Sequence, residues 1–165
     1  MWAAFGAAPS AVPTLSLPPL RRPENGPIES GDGPDQFRSV HGVELSRDGH
    51  VYVSDRDNSR VQVFDRNGKF ERQVFVHRTA PSRQSASGIG LSADKQQRWL
   101  YVIDPGSSQL VVFDRKSMTP VADIGGPGKA AGQFSDPHLL AVSSKGTIFI
   151  TELTGGRVQK LTPLK

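Results

Sequence analysis

The chain has 165 residues, a formal net charge of +4 and no cysteine, which excludes a disulfide framework, a thiol nucleophile and a Cys-ligated metal site. Its length and its 36% hydrophobic residues indicate one domain with a modest core. Basic and acidic residues are interspersed without a positively charged stripe, so the charge pattern argues against a nucleic-acid partner. No apolar run reaches the length of a membrane-spanning helix.

From residue 37 onward, short apolar runs recur in one pattern. Three segments align position by position, at 50–68, 99–117 and 147–165. Each segment holds an aromatic residue and, three positions later, an acidic residue, namely Asp55, Asp104 or Glu152. A shorter apolar run precedes every segment and another follows the first two, with turns such as Asp-Gly between the runs. Because the acidic residue recurs once per repeat, we predict that it caps a turn and does not perform acid–base chemistry.

Four antiparallel strands every 48 or 49 residues is the sequence pattern of β-propeller blades. The sequence therefore predicts an all-β propeller fold made of four-stranded antiparallel blades, with three blades in residues 37–165. Their expected bounds are 37–78, 86–125 and 134–165. A propeller closes with about four to eight blades, so an arc of three blades should leave an apolar face open at each end.

The repeats resemble those of the NHL-repeat β-propeller family, chiefly at the HGV opening around His41 and in residues 48–65 and 132–152. The resemblance implies a six-bladed ring, and two arrangements would supply the other three blades. The chain could be the C-terminal half of a longer protein, or a homodimer could complete the ring. In either arrangement residues 1–6 would form the outer strand of an upstream or partner blade, and the proline-rich residues 7–36 would form an extended loop.

Two of the four histidines, His41 and His138, begin the first strand of a repeat. The first strand of each blade lines the central channel, so both imidazoles are predicted to point into one mouth of the channel. Converging imidazoles suit zinc. The alternative is that each ring only bonds the backbone or water there. His50 and His77 are predicted to be solvated surface residues.

The first and third repeats also resemble blades of the peptidyl-α-hydroxyglycine α-amidating lyases, which are zinc-containing propellers. This resemblance implies that His41 and His138 are zinc ligands and that Arg56 is a catalytic arginine, which holds a carboxylate or a developing oxyanion. It does not support calcium, because Leu139 stands where the lyases carry an acidic calcium ligand. The second repeat departs from the pattern, with Gly88 where a histidine might have stood. The alternative role for Arg56 is a rim arginine paired with a neighbouring aspartate.

The sequence thus predicts a scaffold or ligand-binding module whose ligand is a small molecule or peptide at the channel mouth. A zinc-dependent lyase of the peptide-amidating type is the alternative, and an RNA-binding propeller is a further alternative. The resemblance to bacterial exported propellers implies a periplasmic or secreted location if the full-length protein carries an upstream signal peptide. The residues themselves leave the compartment open.

Overall fold

The structure is a computed structural model that describes residues 30–79 and 84–162. The expected outer strand at residues 1–6 and most of the expected loop at 7–36 lie outside these ranges. Within them, eleven strands form three antiparallel sheets, each built from strands that follow one another in the chain. No helix among the described residues is long and apolar enough to cross a membrane.

The strand bounds follow the three repeats. The first sheet contains β1 (Val40–Leu45), β2 (Val51–Asp55), β3 (Arg60–Phe64) and β4 (Phe70–Phe75). The second sheet contains β5 (Ile89–Leu91), β6 (Trp99–Asp104), β7 (Gln109–Asp114) and β8 (Thr119–Gly125). The third sheet contains β9 (Pro137–Val142), β10 (Ile148–Glu152) and β11 (Arg157–Leu161). A single 3-10 turn, Arg56–Asn58, joins β2 to β3.

Tight turns keep each sheet a simple meander. Gly49 and Gly146 occupy the same place in the β1–β2 and β9–β10 turns, with φ of +89° and +83°. Glycine adopts this left-handed conformation at little cost, whereas a residue with a Cβ atom is strained there. The Asp-Gly pair predicted as a turn is therefore a turn in the structure, and so is the equivalent Lys-Gly pair of the third repeat.

The core consists of two apolar layers, one on each face of the second sheet. Leu100 and Val102 of β6 pack with Tyr52 and Val61 of the first sheet. The residues that alternate with them, such as Ile103, pack with the third sheet. Successive side chains of a strand point to opposite faces. The central residues of β6 and β7 are therefore all apolar, because the second sheet lies between two neighbours.

The outer faces of the first and third sheets have no such neighbour among the described residues. Phe149 is equivalent to Tyr52 in the repeat, yet it is 39% exposed and Tyr52 is fully buried. Val158 is 61% exposed, whereas the equivalent Val61 is fully buried. Val43, on the outer face of the first sheet, is 67% exposed. For the part of the chain that the structure describes, the expectation of an open apolar face at each end of the arc is confirmed.

Each recurring acidic residue holds the segment that enters its sheet. Asp55 accepts the backbone N–H groups of Arg38 and Ser39 at 3.0 and 3.1 Å and binds the side chain of Arg60 at 3.0 Å. Arg60 in turn donates to the carbonyl oxygens of Asp32, Gly33 and Gln36. We call this arrangement of a carboxylate, an arginine and loop carbonyls the arginine clamp.

The third sheet repeats the arginine clamp 97 residues later in the chain. Arg157 binds Glu152 at 2.9 Å and donates to three carbonyl oxygens of the entering loop, those of Lys129, Ala130 and Gln133. The second sheet has Gln109 at the arginine position, and there His77 Nδ1 lies 2.7 Å from Asp104 Oδ2. His77 is partly exposed, as a surface residue would be, but it is also the partner of a buried carboxylate, a role that the prediction of a solvated residue did not include.

Candidate functional site

The structure brings His41 of β1 and His138 of β9 into direct contact. The two ring centroids are 4.6 Å apart and the ring planes are nearly perpendicular, at 86°. This edge-to-face arrangement is a favourable geometry for two aromatic rings. Two imidazoles that lie 97 positions apart in the sequence therefore share one small region at the ends of β1 and β9.

Small residues of the second repeat allow this contact. The N–H of Gly88 donates to the carbonyl oxygen of His138 at 2.9 Å, and Ser87 Oγ donates to the same oxygen at 2.6 Å. A Cβ atom at Gly88 would lie 2.8 Å from Leu139 Cα, a distance that real Cβ atoms do not adopt. The glycine that departs from the repeat pattern thus lets β9 approach, and this approach brings His138 to His41.

The electrostatics of the site keep His41 neutral. Burial lowers the pKa of His41 below its ordinary value of 6.5, and the neighbouring His138 and then Arg56 lower it further, while Asp57 acts in the opposite direction. His41 Nδ1 is buried and has no hydrogen-bond partner among the described residues. At neutral pH the ring therefore offers an unused nitrogen, which can donate, accept or coordinate according to its tautomer.

Arg56 lies at the start of the 3-10 turn, close enough for its charge to act on His41. Its Nε donates to Asp57 Oδ1 at 3.1 Å, and both side chains are partly exposed. The sequence left two aspartates open as partners of Arg56. The structure selects Asp57, since Asp55 is buried in the arginine clamp with Arg60.

Comparison with known proteins identifies the repeat. Residues 37–64 match the family model for the NHL repeat. Human NHL repeat-containing protein 3 is 32% identical over 142 residues, which are 82% of this chain and 39% of the relative. The mouse protein of the same name is 30% identical over 141 residues and 82% of this chain, and 38% of it is covered. The chain belongs to the NHL-repeat β-propellers.

Solved structures similar to this NHL propeller share its fold. A streptogramin B lyase matches 74% of this chain and 37% of its own chain, at 20% identity and a TM-score of 0.56. The WD40 propeller domain of Doa1 matches 76% and 37%, at 14% identity and a TM-score of 0.59. At these identities the likeness shows the propeller fold alone. The predicted fold class is confirmed.

The chain spans about two fifths of the length of the two mammalian relatives that it matches. Both relatives are mammalian proteins, so they do not support the predicted bacterial origin or exported location. The comparisons also leave open the number of blades in a complete ring, the reaction and the ligand. These therefore remain predictions.

In this NHL propeller arc, β1, β5 and β9 are the inner strands of three blades. Between them lies a cavity of about 410 Å³ that extends from Ile89 and Leu140 to the polar rim at Arg47 and Ser143. Glu44 of β1 also lines it, and burial raises the pKa of this carboxyl group. The histidine pair lies at the start of β1 and β9, toward the other end of the same strands, and Arg56 lies near it.

The histidine pair alone does not make a complete metal site. Structural zinc sites use four protein ligands and catalytic zinc sites commonly use three. Among the described residues, no group of three or more His, Asp, Glu or Cys side chains is placed to hold a metal. His41 and His138 could thus provide two zinc ligands, and a third would have to come from outside the part of the chain that the structure describes.

Proposed function

We propose that this NHL propeller arc is a ligand-binding module whose site is the channel mouth at His41 and His138. The observation that carries the proposal is the buried Nδ1 of His41, which has no partner among the described residues. A buried polar group left unpaired costs about 1–3 kcal/mol. A group of this kind at the mouth of a channel is well placed to be completed by a ligand.

The charges at the mouth favour a ligand that carries a carboxylate, either a small molecule or a peptide. Within the described residues, the guanidinium of Arg56 is paired only with Asp57, in a partly exposed ion pair that contributes little energy and is easily exchanged. A guanidinium group binds a carboxylate through two parallel hydrogen bonds. The neutral ring of His41 can then hydrogen-bond a neighbouring amide or carboxyl group of the ligand.

The test is an NMR titration of the histidine ring resonances with N-acetylglycine, which carries one carboxylate and one amide. The resonances of His41 and His138 should shift together, and Arg56→Gln should weaken binding about tenfold, as expected for the loss of a charge-assisted hydrogen bond. Arg66→Gln, on an exposed turn, is the matched control and should bind as the parent does. Ring resonances that do not move, or an Arg56→Gln variant with unchanged affinity, would contradict the proposal.

Zinc binding is the second candidate, and the neutral His41 with its free nitrogen favours it. Zinc bound by His41 and His138 would polarise a substrate hydroxyl group, the chemistry implied by the amidating-lyase resemblance. Arg56 would then hold the carboxylate or oxyanion of the substrate. The nearby guanidinium charge disfavours a cation, so a third ligand is essential to this candidate.

Native mass spectrometry after loading with zinc tests this candidate. One zinc per site should be retained by the parent and by Arg66→Gln and lost in His41→Ala. Release of a peptide amide from a substrate with a C-terminal α-hydroxyglycine would show that the zinc-loaded protein also has lyase activity. Retention of zinc by His41→Ala would show that the metal binds elsewhere.

For the open faces of the arc we propose a second copy of the chain as the occupant, in a ring closed by two-fold symmetry. The face with Phe149 and Val158 is equivalent to the face of the first sheet that packs on the second. The face with Val43 is equivalent to a face that the third sheet buries against the second. The two open faces should therefore fit each other as neighbouring blades do.

Sedimentation velocity at micromolar concentration tests the assembly. The parent should sediment as a dimer and Phe149→Asp as a monomer, because the new charge lies in the proposed interface. Val121→Asp is the control, since Val121 is 52% exposed on the outer strand β8, away from both open faces. A parent that sediments as a monomer would overturn the dimer.

A further inference from the structure

A second cavity lies at the opposite end of the strands from the histidine pair. It has a volume of about 930 Å³ and lies between turns of the first and second sheets. Its wall combines one indole ring, three aspartates and several cations: Trp99, Asp48, Asp94, Asp114, Arg72, Arg98, Arg115 and Lys116, with His50 and Gln96 beside them. The sequence analysis found no block of positive charge, because these cations come from three separate turns or strands.

The three carboxylates of the cavity are already occupied within the protein. Asp48 accepts hydrogen bonds from both terminal nitrogens of Arg115, at 3.0 and 2.9 Å. Asp94 and Asp114 accept backbone N–H groups of their own turns at 3.0 to 3.2 Å. These bonds fix the negative charges at the wall, and the charge of Arg115 is paired by Asp48.

The other three cations are only partly used. Arg72 Nη1 donates to the carbonyl oxygen of Lys116 at 3.2 Å, but Arg72 Nε is buried and has no hydrogen-bond partner among the described residues. The guanidinium of Arg98 lies 4.3 Å from the ring centroid of Trp99, and its nearest carboxylate oxygen, on Asp114, is 3.6 Å away. Lys116 is exposed, and no ion pair involves its ammonium group within the described part of the chain.

We propose that this cavity binds a phosphate group. Four cations and three aspartates line the cavity, so its net charge without His50 is +1, and Arg72 and Lys116 are the cations that no carboxylate pairs within the described residues. This balance favours an anion, and guanidinium and ammonium groups are suited to phosphate oxygens. The free Nε of Arg72 supplies a hydrogen-bond donor that lacks an acceptor. The ring of Trp99 gives the cavity an apolar wall, which would contact the organic part of a phosphorylated small molecule.

This site is independent of the channel mouth, so its test does not depend on the proposed function. Isothermal titration calorimetry on the full chain should show binding of inorganic phosphate and tighter binding of phenyl phosphate, while acetate at the same concentration should not bind. Tighter binding of phenyl phosphate would indicate contact with Trp99. Equal binding of the two phosphates would assign the site to free phosphate. Both results support a phosphate site.

The variants identify the donors. Arg72→Gln and Lys116→Gln should each weaken phosphate binding about tenfold, as expected for the loss of one charged hydrogen-bond donor. Lys116 is exposed on a turn, so its replacement leaves the fold intact even if Arg72→Gln unfolds the chain. Lys69→Gln removes an exposed lysine outside the cavity and should bind as the parent does. Phosphate that fails to bind, binds no better than acetate, or binds Lys116→Gln and the parent equally would overturn the proposal.

Discussion

In the first sheet the recurring carboxylate, Asp55, is paired with a fully buried Arg60, whereas in the second sheet Asp104 is paired with His77, which is 31% exposed. Both carboxylates are themselves buried. The first sheet obtains its partner from its own β3, and the second obtains it from the segment that leaves the first sheet. The second repeat has no arginine at this position, and a residue that follows the neighbouring sheet, His77, pairs with its buried carboxylate instead.

The same two sheets differ at their inner strands. The first sheet carries His41, and the second carries Gly88 at the corresponding place. The glycine contributes no functional group, yet it allows the close approach of β9 that places His138 beside His41. The second repeat, the least regular of the three, therefore allows the histidines of the first and third repeats to meet at the candidate site.

The largest effect should come from Arg60→Met. It leaves Asp55 buried without its cation and leaves loop carbonyl oxygens unpaired, so we expect a loss of about 3–5 kcal/mol in the free energy of unfolding. Urea denaturation followed by circular dichroism measures the loss. Arg157→Met, in the same clamp of the third sheet, is the control: Arg157 is 32% exposed and its loss should be clearly smaller. Equal losses would mean that burial does not distinguish the two clamps.

Gly88→Ala should act on both stability and the site. Its Cβ atom would meet the backbone of β9 at 2.8 to 3.0 Å, and overpacking of this kind costs about 1–3 kcal/mol. The nuclear Overhauser contacts between the rings of His41 and His138 should weaken as β9 moves away. Gly68→Ala is the matched control. It strains a turn with φ of +83° but has open space around it, so it should cost about 1–2 kcal/mol and leave the ring contacts unchanged.

Replacement of His77 compares a histidine that contacts a buried carboxylate with a histidine that contacts exposed ones. His77→Asn should cost about 1–3 kcal/mol, because the buried Asp104 loses the imidazole and, within the described residues, keeps only the hydroxyl and N–H groups of Ser107. His50 is equally exposed, but its partners Asp48 and Glu71 are in contact with solvent, and His50→Asn should cost about 0–1 kcal/mol. Thermal unfolding of both variants at one pH measures the difference. Equal losses of stability in the two variants would show that His77 does not serve Asp104 as the arginine serves Asp55 in the first sheet.

The fold could be predicted from the sequence because the aromatic, acidic and aliphatic positions recur with a fixed spacing, which defines the strands and their faces. The meeting of His41 and His138 followed from their place at the start of inner strands. The role of His77 was missed because its local sequence carries no sign of it, although Gln109 in place of an arginine left Asp104 without a partner. The phosphate cavity was missed for another reason: its cations come from different sheets, and only the packing of the sheets brings them together.

The smallest expected effect is a dependence of stability on pH that comes from the clamp of the third sheet. Burial raises the pKa of Glu152, but hydrogen bonds from Arg157, the backbone of Ser135 and Gln159 outweigh it, so the pKa lies below its ordinary value of 4.5. The unfolded chain therefore binds a proton at a higher pH than the folded chain does. The stabilisation is complete above 4.5 and is lost as the pH falls through and below that value. Urea denaturation between pH 7 and pH 3 should show this loss, and Glu152→Gln should show a smaller slope, whatever its stability at pH 7. An unchanged slope in Glu152→Gln would mean that the clamp of the third sheet does not hold its carboxylate in the charged form.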